Sequence, residues 1–250
     1  MNKILLLILV FIISASIFYS CGSSKSDINT DDPEKAFSIA KRKFDKGDYT
    51  DAVEDFSFLK IRFPGTTISD KTQFYLGESY FGQKEYMLSA YEYESMLKNY
   101  PVSSYIPQTK YKLGLAYYYL SPKFSLDQTY TKYAIAELSQ FLELFPTDKN
   151  VTDAESKLKE LRDKLAYKEF KTAELYVKMD NLKSAAFYFK SCYENNIESE
   201  WADDAMVGHA DVLITAGKKE DAKEVLEKFF KLFPNSSLKS KAEKLKRETI

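Results

Sequence analysis

Six aromatic residues recur at a fixed interval in the N-terminal half of this 250-residue chain, and their spacing suits them to hold a ligand. Phe37, Phe74 and Tyr111 stand 37 residues apart, and so do Phe44, Phe81 and Tyr118. Phe170 extends the first series, but Val177, Val207 and Ile214 end the aromatic character further on. Rings on a rigid scaffold bind other rings and apolar chain with little loss of side-chain entropy. Lys41 and Lys71 lie in nearby registers and supply cations for a carboxylate. The chemistry these types offer is non-covalent capture of an aromatic-rich chain end. Each ring also has a purely structural use, packing against a neighbouring helix for roughly 1.5–3 kcal/mol.

Groups for making and breaking bonds are sparse. His209 is the only histidine, so a His-dependent triad lacks support and a zinc site would rely on carboxylates. Neither G-x-x-x-x-G-K-[ST] nor G-x-G-x-x-G occurs. Asp203-Asp204 has the makings of a cation site, yet acids at a helix start follow from the helix dipole alone. No enzyme, metal or cofactor is expected. With 36 basic and 37 acidic residues the chain carries a net charge of −1, which argues against a nucleic-acid partner.

The elements that must position these residues are helical. Only 8 Gly and 7 Pro, beside 19 Tyr and 18 Phe, disfavour a sheet-rich sandwich. Leu76-Gly77-Glu78-Ser79-Tyr80 and Leu113-Gly114-Leu115-Ala116-Tyr117 match the first half of the tetratricopeptide pattern. Its second half, a small residue with a large one four later, occurs as Ala52/Phe56, Ser89/Tyr93, Ala134/Leu138, Ala185/Phe189 and Ala222/Leu226. Twelve residues after the small one comes Pro64, Pro101, Pro146 or Pro234; the fourth repeat has Ile197 there, which predicts a differently built turn. Gly47 and Gly217 mark bends between paired helices. The third repeat carries an insertion from Ser121 to Thr129, and residues 151–165 form an extra amphipathic stretch leading into the fourth. Ser237–Lys246 reads as a cap, Cys192 as a buried small residue, and Trp201 as packing between repeats four and five. The fold class predicted is all-α: a right-handed superhelical solenoid of five tetratricopeptide hairpins with a C-terminal capping helix. In such superhelices the first helices line the concave groove, which puts the aromatic rows in it.

The N-terminus reads as an export signal over residues 1–20: Lys3, then an apolar run from Ile4 to Ile13 too short to span a membrane. Cys21, following Ser20 and preceding Gly22-Ser23-Ser24, resembles the bacterial lipoprotein signal, with Phe18 and Tyr19 where aliphatic residues are usual. That resemblance implies cleavage before Cys21, a diacylglyceryl group on its sulfur and an acyl chain on its amine. Ordinary secretion with an incidental cysteine is the alternative. Residues 21–31 then form a polar, flexible tether.

A lipoprotein signal followed by five such hairpins resembles the BamD family, the lipoprotein subunit of the machinery that assembles outer-membrane β-barrels. The most specific likeness is Tyr119-Leu120-Ser121-Pro122, Leu126-Asp127-Gln128-Thr129-Tyr130-Thr131 and Ala134-Ile135-Ala136-Glu137-Leu138, a run similar to that of Bacteroidota members. The resemblance implies a body in the periplasm on a lipid anchor in the outer membrane. It implies that repeats one to three, residues 32–146, receive unfolded barrel substrates through a C-terminal signal ending in an aromatic residue. It implies that residues 147–250, with the linking helix, repeats four and five and the cap, dock on a BamA-type barrel protein. The alternatives from other classes are a periplasmic scaffold for envelope or division proteins and, more distantly, an envelope hydrolase.

Overall fold

The computed structural model describes residue 26 and residues 28–250, so the signal sequence and Cys21 lie outside the described residues. Within them the chain forms eleven helices and no strand. They fall into two compact units that divide between Glu85 and Tyr86.

The first unit holds α1 (Pro33–Lys46), α2 (Tyr49–Arg62) and α3 (Ser69–Gly82). Asp32 starts α1 by accepting the backbone N–H groups of Glu34 and Lys35, with proline at the first helical position. Gly47 ends it at φ 85°, the left-handed conformation a glycine adopts without strain. Ala36, Ala40, Ala52, Phe56, Leu59, Ile68 and Leu76 form the core, with Ile28 packed into it. The predicted tether therefore stops short of Asp31. Beneath this core Asp55 is fully buried, and its carboxylate meets the Lys43 ammonium at 2.9 Å.

The second unit runs through α4 (Tyr86–Asn99), α5 (Ile106–Leu120), α6 (Thr129–Leu144), α7 (Val151–Lys178), α8 (Leu182–Asn195), α9 (Ala202–Thr215), α10 (Lys219–Leu232) and α11 (Lys239–Glu248). Consecutive helices pack on one another, and α11 closes the series against α9 and α10. Ser89, Tyr93, Ala134, Leu138, Ala185, Ala222 and Leu226 are all buried, as the repeat pattern requires. Gly114 shows why the small partner matters: a Cβ there would lie 2.7 Å from the Leu138 side chain. The cap turns Ala242 and Leu245 inward among lysines.

The extra stretch and the first helix of repeat four are a single helix. At 28 residues, α7 is about 42 Å long. It buries Ala154, Leu158 and Leu161, while Val151 and Leu165 are half-buried. The insertion folds onto it. Gln128, 5% exposed, donates to the carbonyls of Lys123 and Leu126, while Lys168 reaches the Leu126 carbonyl at 2.6 Å and Phe124 packs on Tyr167.

One turn departs from expectation. Asn196 ends α8 at φ −142°, ψ 55°, close to Phe63 (−123°, 52°), Phe145 (−131°, 56°) and Phe233 (−123°, 57°), the residues before the prolines. The turn without proline is thus built alike. Proline forces its predecessor out of the α region; here the Asn196 side-chain amide instead donates to the Cys192 carbonyl at 3.4 Å.

Candidate functional site

In the first unit, α1 and α3 bring three rings and two lysines into one strip. Tyr75 is its hub: its ring lies 5.7 Å from Phe37, 5.2 Å from Phe44 and 5.8 Å from the buried Phe56. The Lys71 ammonium sits 4.7 Å from the Phe37 centroid, and the Lys41 ammonium 5.0 Å from that of Tyr75 and 5.6 Å from that of Phe44. Ammonium groups over ring faces are attracted by the ring quadrupole. Neither lysine is idle. Lys71 donates to Glu34 at 2.6 Å, and Lys41 is ion-paired with Asp45 one turn on. The Lys71 and Thr67 hydrogen bonds hold the Glu34 carboxyl below its usual range. Beside Phe37, residues Ser38, Lys41, Arg42, Asp45 and Lys46 line a shallow depression of about 340 Å³. Three cations against one acid favour an anionic ligand there.

The aromatic rows do not survive intact. Phe74 is 2% exposed and Tyr111 8%, so both are core residues and cannot line a groove. Phe37, Phe44, Phe81 and Tyr118 are half-buried. In the second unit, α7 lies along the Tyr111 and Tyr118 edge of α5. Tyr111 donates to Asp153 at 2.6 Å, Tyr118 donates to Glu160, and the Lys157 ammonium stands 4.8 Å over the Tyr118 ring. Burial, then the adjacent carboxylate, pushes both phenols up, Tyr118 to about 12. The third pair is thereby committed to the helix–helix contact. Tyr75 was missed because it stands one residue after Phe74, off the 37-residue step. The helix turns Phe74 inward and Tyr75 toward α1.

The other singled-out residues are structural. Cys192 is fully buried, its thiol donates to the Ala166 carbonyl at 3.3 Å, and burial pushes it up to about 12. Trp201 packs on Tyr167 and Phe170 of α7 at 4.6 and 5.4 Å. His209 is 7% exposed and shares a 3.0 Å hydrogen bond with the Tyr193 hydroxyl. Asp203 accepts from Ser236 at 2.6 Å, while desolvation and Asp203 raise the Asp204 carboxyl. No helix among the described residues is long and apolar enough to cross a membrane.

Against this geometry the comparisons with known proteins are specific. The family model YfiO, described as outer membrane lipoprotein, matches residues 29–207. The chain belongs to this family. Its curated relatives include an outer membrane protein assembly factor BamD of Caulobacter vibrioides, 23% identical over 76% of this chain. That match spans 62% of the Caulobacter protein's own length. A BamD of Rickettsia prowazekii is 23% identical over 80% of each chain. A tetratricopeptide model matches residues 204–236, overlapping the end of the YfiO span and extending past it. Among solved structures, a TPR repeats protein from Bacteroides fragilis superposes with a TM-score of 0.50 at 14% identity, covering 88% of this chain and 98% of that one. This last likeness speaks to the fold, and the YfiO family is an all-helical repeat family in this member.

Proposed function

We propose that this chain is an outer-membrane protein assembly factor of the BamD type. Anchored in the outer membrane by lipid on Cys21, with its body in the periplasm, it docks on a BamA-type barrel protein and helps recognise, insert and fold β-barrel proteins. Its work is binding, without turnover. The family match over residues 29–207 carries this reading. The strip of Phe37, Phe44 and Tyr75 with Lys41 and Lys71 is its substrate contact. An unfolded barrel strand ending in an aromatic residue presents a ring and a terminal carboxylate together, the two groups that stacked rings and ammonium ions accept.

The test is an affinity pulldown from membranes solubilised in mild detergent, read by mass spectrometry. A BamA-type barrel protein at near-stoichiometric yield is the expected result. Its absence, with division or peptidoglycan proteins recovered instead, would overturn the assembly role. Cys21→Ser should move the chain from the membrane to the soluble fraction, since acyl chains contribute about 0.8 kcal/mol per buried methylene.

A further inference from the structure

Glu34 occupies the place a ligand carboxylate would take. It stands in the first turn of α1, its side chain 55% exposed, and accepts from Lys71 at 2.6 Å and from the Thr67 hydroxyl at 2.8 Å. The same Lys71 ammonium lies over Phe37. A ligand that laid a ring on Phe37 and carried a free carboxylate would direct it at this ammonium, where Glu34 already sits.

We propose that Glu34 is an internal competitor for the ligand's carboxylate, resting on the reading of this strip as the substrate contact. In the free protein it holds Lys71 over Phe37, so the cation is preorganised and not left to wander in solvent. On binding, the Glu34–Lys71 pair is exchanged for a ligand–Lys71 pair. An exposed ion pair is worth little, so the exchange is nearly balanced and readily reversed. Reversibility is what a factor that must hand its substrate on requires. A ligand with a ring but no carboxylate leaves the internal pair in place, and a carboxylate without a ring gains no stacking. Only the combination of both displaces Glu34 with profit in contact.

The experiment uses a fluorescent ten-residue peptide ending in Phe with a free carboxylate, and the same peptide amidated. Binding to the full soluble body is followed by anisotropy at low salt. The wild type should favour the free acid over the amide. Glu34→Gln should tighten the free acid about two- to fivefold and leave the amide unchanged, with helicity intact by circular dichroism. Glu34→Asp keeps the charge but withdraws the carboxylate by about 1.5 Å, one C–C bond. It too should tighten the free acid, which separates displacement from a mere change in net charge. If wild type binds the free acid but Glu34→Gln binds it equally or more weakly, the competitor role is overturned. Tightening by Gln without tightening by Asp also overturns it. If the wild type binds neither peptide, the strip itself is not the substrate contact and the failure belongs to that reading.

Discussion

His209 should make the second unit sensitive to acid, and the size of the effect follows from its surroundings. The imidazole is 7% exposed beneath α8, and burial, with Lys190 adding and Asp221 opposing, lowers its pKa from 6.5 to about 4. It is therefore neutral in the folded chain at pH 5, whereas in the unfolded chain it takes a proton below about pH 6.5. The unfolded state binds more protons in this window, so stability falls as pH falls from 6.5 toward 4 and levels off below. From the two pKa values, linkage gives a loss of about 2 kcal/mol between pH 7.5 and pH 5. Guanidinium unfolding followed by fluorescence of Trp201, the only tryptophan, reads this unit directly, because the indole packs on Tyr167 and Phe170. His209→Gln retains a neutral hydrogen-bonding group for the Tyr193 hydroxyl. The wild type should lose about 2 kcal/mol more than the variant over that pH range, the carboxylates cancelling in the comparison. Equal losses in the two proteins would refute the argument that burial keeps this histidine neutral.

Further outcomes follow from the packing and the backbone. Phe74→Ala should destabilise the chain by about 3–5 kcal/mol in denaturant titration, since the ring is 2% exposed. Phe37→Ala, from a half-buried site, should cost less and weaken peptide binding instead. Lys43→Ala strips the buried Asp55 carboxylate of its 2.9 Å partner and should cost about 3–5 kcal/mol, a loss visible in the melting temperature. Lys84→Gly should raise stability by about 0.5–1 kcal/mol, because Lys84 is held at φ 64°, where glycine is unstrained. Gly47→Ala should lower it by a similar amount; nothing lies within 4 Å of the added methyl, so its cost is backbone strain alone.

What was legible in the sequence was whatever recurs because packing demands it. The small-and-large pairs from Ala52/Phe56 to Ala222/Leu226 are buried throughout, since helices cannot approach without the one or fill the gap without the other. The glycines at 47 and 217 were readable as bends, but Lys84 and Asp180 make the same left-handed bend with side chains attached, at φ 64° and 56°. Residue type hid them; their position, five before Ser89 and Ala185, was the usable signal. A second recurrence went unread. Ser103, Asp148, Ser199 and Ser236 each accept the backbone N–H two residues on, at 2.8–3.2 Å, and so organise the turn into the next first helix. Ser199 keeps that organisation in the turn after Asn196, where the proline is absent. The candidate site was half legible: a 37-residue step finds Phe37 and Phe44 but equates Phe37 with Phe74, which is buried where Phe37 is half-exposed. A period marks equivalent positions and cannot express how deeply each ring is covered. Tyr75 belongs to the strip through its contacts alone.

The burial of Ile28 sets the length of a leash. With Cys21 lipidated as proposed, seven residue steps separate the anchored sulfur-bearing residue from the first side chain locked into the core. Whatever path that stretch takes, it cannot reach further than about 25 Å. The entrance to the first unit, Pro33 and the start of α1, is thus confined to a layer next to the bilayer. There the Glu34–Lys71 pair, with Glu34 one residue past Pro33, would meet substrates at the membrane's edge. On that proposal, capture and insertion would be events separated by a height, and the number of residues between Cys21 and Ile28 would set its upper limit.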